Sequence, residues 1–90
     1  MEWKRKDHSR DTEPSVLVAS PVLGIDVMVH KHIHHGDDWL MTCDVLGIKQ
    51  RALGTDNLME AQTRAMQIFV LEAQALRERL TLAIGEMFGQ

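Results

Sequence analysis

Residues 55–84 contain neither proline nor glycine, and this long stretch limits the possible folds of the chain more than any other feature of its sequence. Apolar residues recur within it at intervals of three and four, the spacing that places side chains on one face of an α-helix. Asp56 or Asn57 is a suitable N-cap for such a helix, and Asn57 with Glu60 resembles a capping box. We therefore predict one amphipathic helix from Leu58 to about Glu86.

A helix of this length is longer than the sheet that the rest of the chain can form. It would span roughly 43 Å, against about 33 Å for a strand of ten residues. Over residues 65–71 it is apolar almost all the way round, and a chain of 90 residues cannot easily enclose it. We expect the helix to bind a second copy of the chain or a partner protein with the flank that carries Met66, Val70 and Ala73.

The first half of the chain contains segments typical of β-strands. Ser15–Ser20 is apolar, β-branched and bounded by two prolines, which favours a short edge strand. Ile25–His34 alternates apolar and polar residues, Trp39–Ile48 is its return strand, and Gly47–Leu53 is a candidate for a further strand. These patterns predict an α+β fold, in which an antiparallel β-meander of three to four strands packs against one long C-terminal helix.

The apolar rows of the central hairpin indicate which strand faces belong together. Residues directly opposite each other in an antiparallel ladder share a face. Opposing Val29 with Cys43 and Val27 with Val45 unites the two rows and requires a loop with an odd number of residues. A loop with an even number would instead place His30 opposite Cys43. We expect the odd loop.

Three histidines, His30, His32 and His34, alternate along the predicted strand, which places neighbouring members about 7 Å apart on one face. Imidazoles in this arrangement can bind one zinc or nickel ion, with Asp38 or Asp44 across the ladder as an oxygen ligand. The same row is compatible with a pH-responsive protein contact or with an ordinary solvated face. Metal binding is therefore an alternative function and not the main prediction.

The single cysteine, Cys43, stands in the middle of an apolar strand, which is typical of a buried structural thiol. The sequence has no glycine-rich phosphate loop and no serine–histidine–aspartate set in a supporting context. Asp37 and Asp38 are adjacent and therefore point apart, which makes them a poor acid–base pair. We expect a protein that is not an enzyme and needs no cofactor.

Residues 1–14 differ in composition from the rest of the chain. Eight of the fourteen are charged, and Trp3 is the one large apolar residue after Met1. Such a segment buries too little apolar surface to offset the entropy that is lost on ordering. We expect a flexible charged arm over residues 1–14, whose Trp3 contacts a partner, and a single folded domain over residues 15–90.

The chain is mildly acidic, because thirteen Asp or Glu against ten Lys or Arg give a formal net charge of -3. A nucleic-acid-binding domain normally carries a basic excess, so we do not expect nucleic acid as a partner. No apolar run is long enough to span a membrane, and the N-terminal residues do not resemble a signal peptide. We expect a cytoplasmic protein that meets a basic protein through Asp37, Asp38 and Asp44.

Part of the chain, about residues 24–70, resembles a small uncharacterised bacterial domain family. In that family a strand of the Trp-x-Cys type precedes a Gly-x-Asp helix start and a helix rich in alanine and leucine. The corresponding features here are Asp38–Cys43, Gly54–Asp56, Ala61 and Ala65. The chain departs from the family pattern at Glu60–Gln62, where glutamine is expected before the alanine. The resemblance implies a fold more than an activity, and relatives of this size often look like partners of other proteins, including immunity partners of secreted toxins.

We therefore expect a non-catalytic protein-binding module of the immunity or antitoxin type, which neutralises a partner by covering its surface. A phage-encoded inhibitor of a host defence protein and a metal-binding protein that uses the histidine row are the alternatives. The expected partner is another protein, such as a basic toxin or nuclease, and the long helix is expected to form a homodimer. The candidate partner-binding residues are Trp3, Asp37, Asp38, Asp44, Met66, Val70 and Ala73.

Overall fold

The chain folds into an antiparallel sheet that is covered on one face by a long helix. The structure, a computed structural model, describes residues 2–6, 15–22, 24–32 and 36–88. The sheet has five strands in the order in which they occur along the chain. The elements are β1 (Trp3–Arg5), β2 (Val16–Val22), β3 (Ile25–His30), β4 (Leu40–Cys43), β5 (Ile48–Ala52) and α1 (Leu58–Phe88). The predicted α+β arrangement is confirmed, with five strands in place of three to four.

The β3–β4 pair confirms the predicted faces but not the predicted partners. Val29 lies opposite Met41 and not opposite Cys43, so the register differs by two residues from the expectation. A shift of two keeps every side chain on its predicted face, because side chains alternate with a period of two. The chain leaves the β3–β4 ladder after β4 in a 3₁₀ turn that contains Val45, and Val45 therefore does not lie opposite Val27.

Strand β2 is an inner strand, because β1 pairs with its residues 17–19 on the outer side. The predicted edge position of β2 is therefore wrong, and residues 3–5 belong to the sheet instead of the arm expected over residues 1–14. Residues 7–14 of that arm lie outside the described part of the chain. The β2–β3 ladder shifts its register between Ala19 and Val22, on either side of Ser20 and Pro21.

The hydrophobic core lies between one face of the sheet and the first half of α1. Its buried side chains are Val27, Val29, Trp39, Met41, Cys43, Ile48, Leu53, Ala61 and Ala65. The helix contributes two alanines, whose small side chains allow its backbone to lie close to β3 and β4. Cys43 is 1% exposed and has a free thiol, which confirms the predicted buried cysteine.

Helix α1 extends well past the sheet. Its 31 residues span about 46 Å. Residues 77–88 are all exposed, and we refer to them as the overhang. Glu72, a polar residue within the apolar face, lies in the packed part and forms an ion pair with Arg51 of β5 at 3.5 Å. Within the described part of the chain, no helix is both long enough and apolar enough to cross a membrane.

Candidate functional site

Trp39 joins the connection before β4 to the loop before α1. Its backbone N–H donates to the Thr55 carbonyl at 2.9 Å, and its own carbonyl accepts from the Leu53 N–H at 3.0 Å. Its indole Nε1–H donates to the Asp56 carbonyl at 3.0 Å. These bonds hold Trp39 against the loop before the helix, so segments from two distant parts of the sequence meet at one corner of the molecule.

Side chains of the same loop cap the helix. Asn57 Oδ1 accepts from the Glu60 N–H at 2.9 Å, which confirms the predicted N-cap. The Asn57 N–H donates to Thr55 Oγ1 at 3.1 Å and not to Glu60, so the capping box is only half formed. Glu60 instead pairs with Arg64 at 2.6 Å, and Arg64 also donates to the Leu53 carbonyl at 2.7 Å. The first turns of the helix are thus capped by Asn57 and also hydrogen-bonded, through Arg64, to the segment that follows β5.

Three exposed aspartates lie on the two loops that meet here, and we refer to them as the acidic corner. Asp37 and Asp38 come from the connection before β4, and Asp56 comes from the loop before α1. The Trp39 hydrogen bonds bring the two loops together. The sequence predicted the first two residues as partner contacts but missed Asp56, because only a tertiary contact brings its loop to theirs.

Asp44, the third aspartate expected to meet a partner, lies elsewhere. It begins the 3₁₀ turn after β4 and lines a cleft of about 400 Å³ together with Lys6, Asp26 and Thr42. This cleft lies on the sheet face that points away from the helix, since Thr42 pairs with Met28 and not with a core residue. The predicted acidic residues therefore do not form a single surface.

A shallow groove follows the first half of α1 beside the edge strand β1. Its volume is about 840 Å³, and it is lined by Trp3, Met59, Gln62, Thr63, Met66, Gln67, Val70 and Leu71. We refer to it as the helix groove. Three predicted partner-binding residues, Trp3, Met66 and Val70, come together here. Pairing with β2 brings Trp3 to this place, because Trp3 lies opposite Ala19, which in turn lies opposite the core residue Val27.

Ala73, the fourth predicted helix residue, lies in a second cleft of about 330 Å³ further along the helix. The other walls of this cleft include Ile25, Val45, Leu46, Phe69 and Leu80. Ala73 is seven residues, or about two turns, after Met66, so the two recesses follow the same side of α1. The structure therefore separates Ala73 from the Trp3 groove but leaves it on the predicted flank.

Large apolar side chains are exposed along most of the length of the helix, on more than one of its sides. They are Met59, Val70, Leu71, Leu80, Leu82, Ile84, Met87 and Phe88, each between 47% and 77% exposed. A single exposed apolar side chain is ordinary in a folded protein. Eight of them on one helix are typical of a surface that binds another protein.

The histidine row is only partly described. His30 ends β3, is 9% exposed, and has its Nε2 2.8 Å from Thr42 Oγ1. His32 is half-buried, and His34 lies outside the described residues. Among the residues that the structure describes, no three His, Cys, Asp or Glu side chains are grouped so as to hold a metal ion. Metal binding by this row stays a prediction.

Searches against protein-family models, curated proteins and solved structures find no match to this chain. The resemblance of residues 24–70 to a bacterial domain family therefore stays a prediction. Function is accordingly inferred from three surfaces of the molecule itself, which are the acidic corner, the helix groove and the overhang.

Proposed function

We propose that this protein is a non-catalytic protein-binding module of the immunity or antitoxin type, which neutralises a basic partner protein by covering part of its surface. The observation that supports this most is the exposed apolar surface of α1, with eight large side chains on one element. Covering such a surface with protein is favourable by about 25 cal/mol for each Å² of apolar area removed from water. Binding of another protein to this surface of the helix is therefore favourable in free energy.

The acidic corner supports a basic partner. Asp37, Asp38 and Asp56 are exposed at the end of the molecule where α1 begins, and Met59 of the helix groove follows one turn later. Charge complementarity accelerates association and selects among partners more than it adds affinity. The net charge of -3 on the whole chain also favours a basic partner over an acidic one. A protein with an apolar segment beside basic residues would complement this end of the molecule.

Affinity capture from the native host, with matched variants, tests the proposal. Asp37→Asn with Asp38→Asn removes two charges from the acidic corner, and Asp44→Asn with Glu2→Gln removes two exposed charges away from the corner and from α1. We expect the wild type and the control to retain the same basic protein, and the corner variant to bind it about tenfold more weakly at low salt. The proposal fails if the wild type retains no protein or if the two variants behave alike.

A growth assay tests the immunity type separately. The captured protein is produced alone in a bacterial host, and then together with the wild type, the corner variant or the control variant. We expect it to arrest growth alone, and we expect the wild type and the control to restore growth better than the corner variant. A captured protein that is harmless on its own would contradict neutralisation of a toxin while leaving protein binding intact.

A further inference from the structure

One side of α1, at the flank of its packed face, carries apolar residues at intervals of seven. This row is Met59, Met66, Ala73, Leu80 and Met87, and the row beside it is Thr63, Val70, Arg77 and Ile84. A seven-residue apolar repeat sustained over about four heptads is the pattern of a helix that packs along another helix. Such a row drifts by only about 20° per heptad on a straight helix, so its members stay on one side. We refer to these five residues as the heptad row.

The two halves of the heptad row have different surroundings. The first half lines the helix groove, where Trp3 of β1 forms a side wall. The second half stands on the overhang, where Leu80 is 53% exposed and Met87 is 71% exposed, although Leu80 also forms the far wall of the second cleft. The groove follows residues 59–71 and the overhang covers residues 77–88, so each occupies about 18 Å of helix axis. One half is thus a recess and the other a projection of matching length.

We propose that a second copy of this chain occupies the helix groove. The two α1 helices pair antiparallel about a two-fold axis near Ala75, and the overhang of each copy lies in the groove of the other. In this arrangement Leu80 faces Val70 of the second copy, and Ile84 faces its Met66. A two-fold axis repeats every contact, so both grooves are filled at once and the assembly closes as a dimer. The inference rests on the proposed protein-binding role of the helix and names the partner of one of its surfaces.

The charges of the overhang favour a second copy over a strongly charged partner. Arg77 and Arg79 balance Glu78 and Glu86, so the overhang has no net charge, and the heptad row has no charged member. A neutral apolar row does not discriminate between acidic and basic proteins. Two copies of a charge-balanced segment can approach without net repulsion, and each copy supplies both signs to the other.

The size of the contact is compatible with a specific but modest dimer. Helices paired over four heptads contribute about 16 residues each, at four positions in every heptad. Trp3 adds a contact from outside the helix. Specific interfaces have roughly 20–30 residues on each side, so this contact, with about 17, lies just below that range. We expect a dimer that dissociates on dilution.

The dimer leaves the acidic corner accessible. The corner lies at the N-terminal end of α1, and the antiparallel arrangement places the two helix starts at opposite ends of the assembly. Each dimer would therefore present two acidic corners, one at each end, to basic proteins. In the dimer, residue 88 of one copy lies level with residue 62 of the other, so Met59 and the acidic corner stay outside the paired stretch. Capture of a basic partner by the dimer would use these residues and not the paired part of the helix.

Light scattering after size-exclusion chromatography tests the dimer. We expect the wild type to have about twice the chain mass of 10.2 kDa at high concentration. Leu80→Glu places a charge in the heptad row and should weaken the dimer by tenfold or more, because the apolar contact with Val70 is lost and the carboxylate would have to give up water on association. Leu82→Glu is the matched control, since Leu82 is 69% exposed on the same overhang but lies about 200° round the helix from Leu80. Circular dichroism checks that both variants keep their helix.

A wild type that is monomeric at every concentration overturns the inference, and so do two variants that weaken the dimer equally. A monomer that captures a host protein through Val70 and Leu80 would also overturn it, because a different protein would then occupy the groove. These outcomes are distinct from a failure of the proposed function. A dimer that captures no basic protein contradicts the function alone, and a monomer that captures one contradicts the dimer alone.

Disulfide cross-linking tests the direction of the helices. Val70→Cys with Leu80→Cys should give a covalent dimer on mild oxidation, because the antiparallel arrangement brings each cysteine to the other position of the second copy. The two sites are about 15 Å apart on one helix and cannot bond within a chain. Cys43 is 1% exposed and can remain in place. Either single cysteine variant should cross-link at least about tenfold more slowly. Equal cross-linking of Leu80→Cys alone indicates parallel helices and contradicts the proposal.

Discussion

Trp39 links the sheet to the helix through both its backbone and its side chain. It is 3% exposed, and its indole N–H donates to the Asp56 carbonyl at 3.0 Å. Lys31 Nζ lies 4.9 Å from the centroid of its ring, close enough for a cation–π contact. The tryptophan therefore stabilises the corner that carries Asp37 and Asp38, although it is not itself on the surface.

Trp39→Phe should lower the free energy of unfolding by about 1–2 kcal/mol, because the variant keeps an aromatic ring but loses one hydrogen bond and some packing. Urea denaturation followed by circular dichroism measures the change. Trp3→Phe is the control. Trp3 is half-buried on an edge strand, so its indole should contribute less to the free energy of unfolding of the isolated chain. An equal loss for the two variants would contradict the role assigned to Trp39.

Gln50 is the single non-glycine residue with a positive φ among the residues that the structure describes. Its φ is 47°, in the left-handed region that L side chains rarely adopt. It lies in β5 beside the register shift between Met41 and Cys43 of β4, and its N–H donates to Thr42 Oγ1 at 3.1 Å. The irregular ladder and this hydrogen bond hold Gln50 in its strained conformation.

Gln50→Gly should raise the free energy of unfolding by about 0.5 kcal/mol, because relief of left-handed strain exceeds the extra entropy that glycine has in the unfolded chain. Lys49→Gly, one residue earlier in β5, relieves no such strain and should lower it by about 0.5–1 kcal/mol. Urea denaturation of the two variants gives the comparison. If both glycines destabilise the protein equally, Gln50 is not strained.

Helix α1 consists of two segments with different support. Up to Leu76 its residues include buried or half-buried side chains against the sheet, whereas every residue of the overhang is exposed. Isolated helical segments shorter than about 12–15 residues are only marginally stable in water. In a single copy, the helical structure of the overhang is therefore stabilised by the packed segment before it. It is stabilised further by any protein that covers its apolar side chains.

Hydrogen exchange should separate the two segments. In the Leu80→Glu variant at low concentration, backbone amides of residues 77–88 should exchange at least about a hundredfold faster than those of residues 61–72, because the overhang opens locally without unfolding the core. In the wild type, protection of the overhang should increase with protein concentration. Uniform protection along the helix of the diluted variant would show that the overhang has support within its own chain.

For the molecule as a whole, the overhang and the helix groove form a self-complementary pair only when a second copy is present. Dimerisation stabilises the folded state by mass action, so the wild-type Tm should rise by roughly 5 °C over a hundredfold increase in concentration. Leu80→Glu should remove this dependence and Leu82→Glu should keep it. Differential scanning calorimetry measures all three proteins, and a constant wild-type Tm would contradict the dimer.

Much of the fold could be predicted because its signals are local. The helix, its Asn57 cap and the faces of β3 and β4 all follow from residues within a few positions of one another. The hairpin register could not be predicted to the residue, since alternation specifies a face but allows a shift of two. Strand β1 was missed because three residues, two of them charged, carry no periodic pattern.

The candidate site, like the fold, could be predicted from the sequence only where its signals are local. The sequence alone determined that the flank with Met66 and Val70 is too apolar for a chain of this size to enclose, because helical spacing and chain length are sufficient for that inference. Only the tertiary structure decided that Trp3 stands beside these residues, that Asp56 joins Asp37 and Asp38, and that Asp44 does not. Those placements depend on the pairing of β1 with β2 and on the hydrogen bonds of Trp39, which connect residues far apart in the chain and leave no local pattern in the sequence.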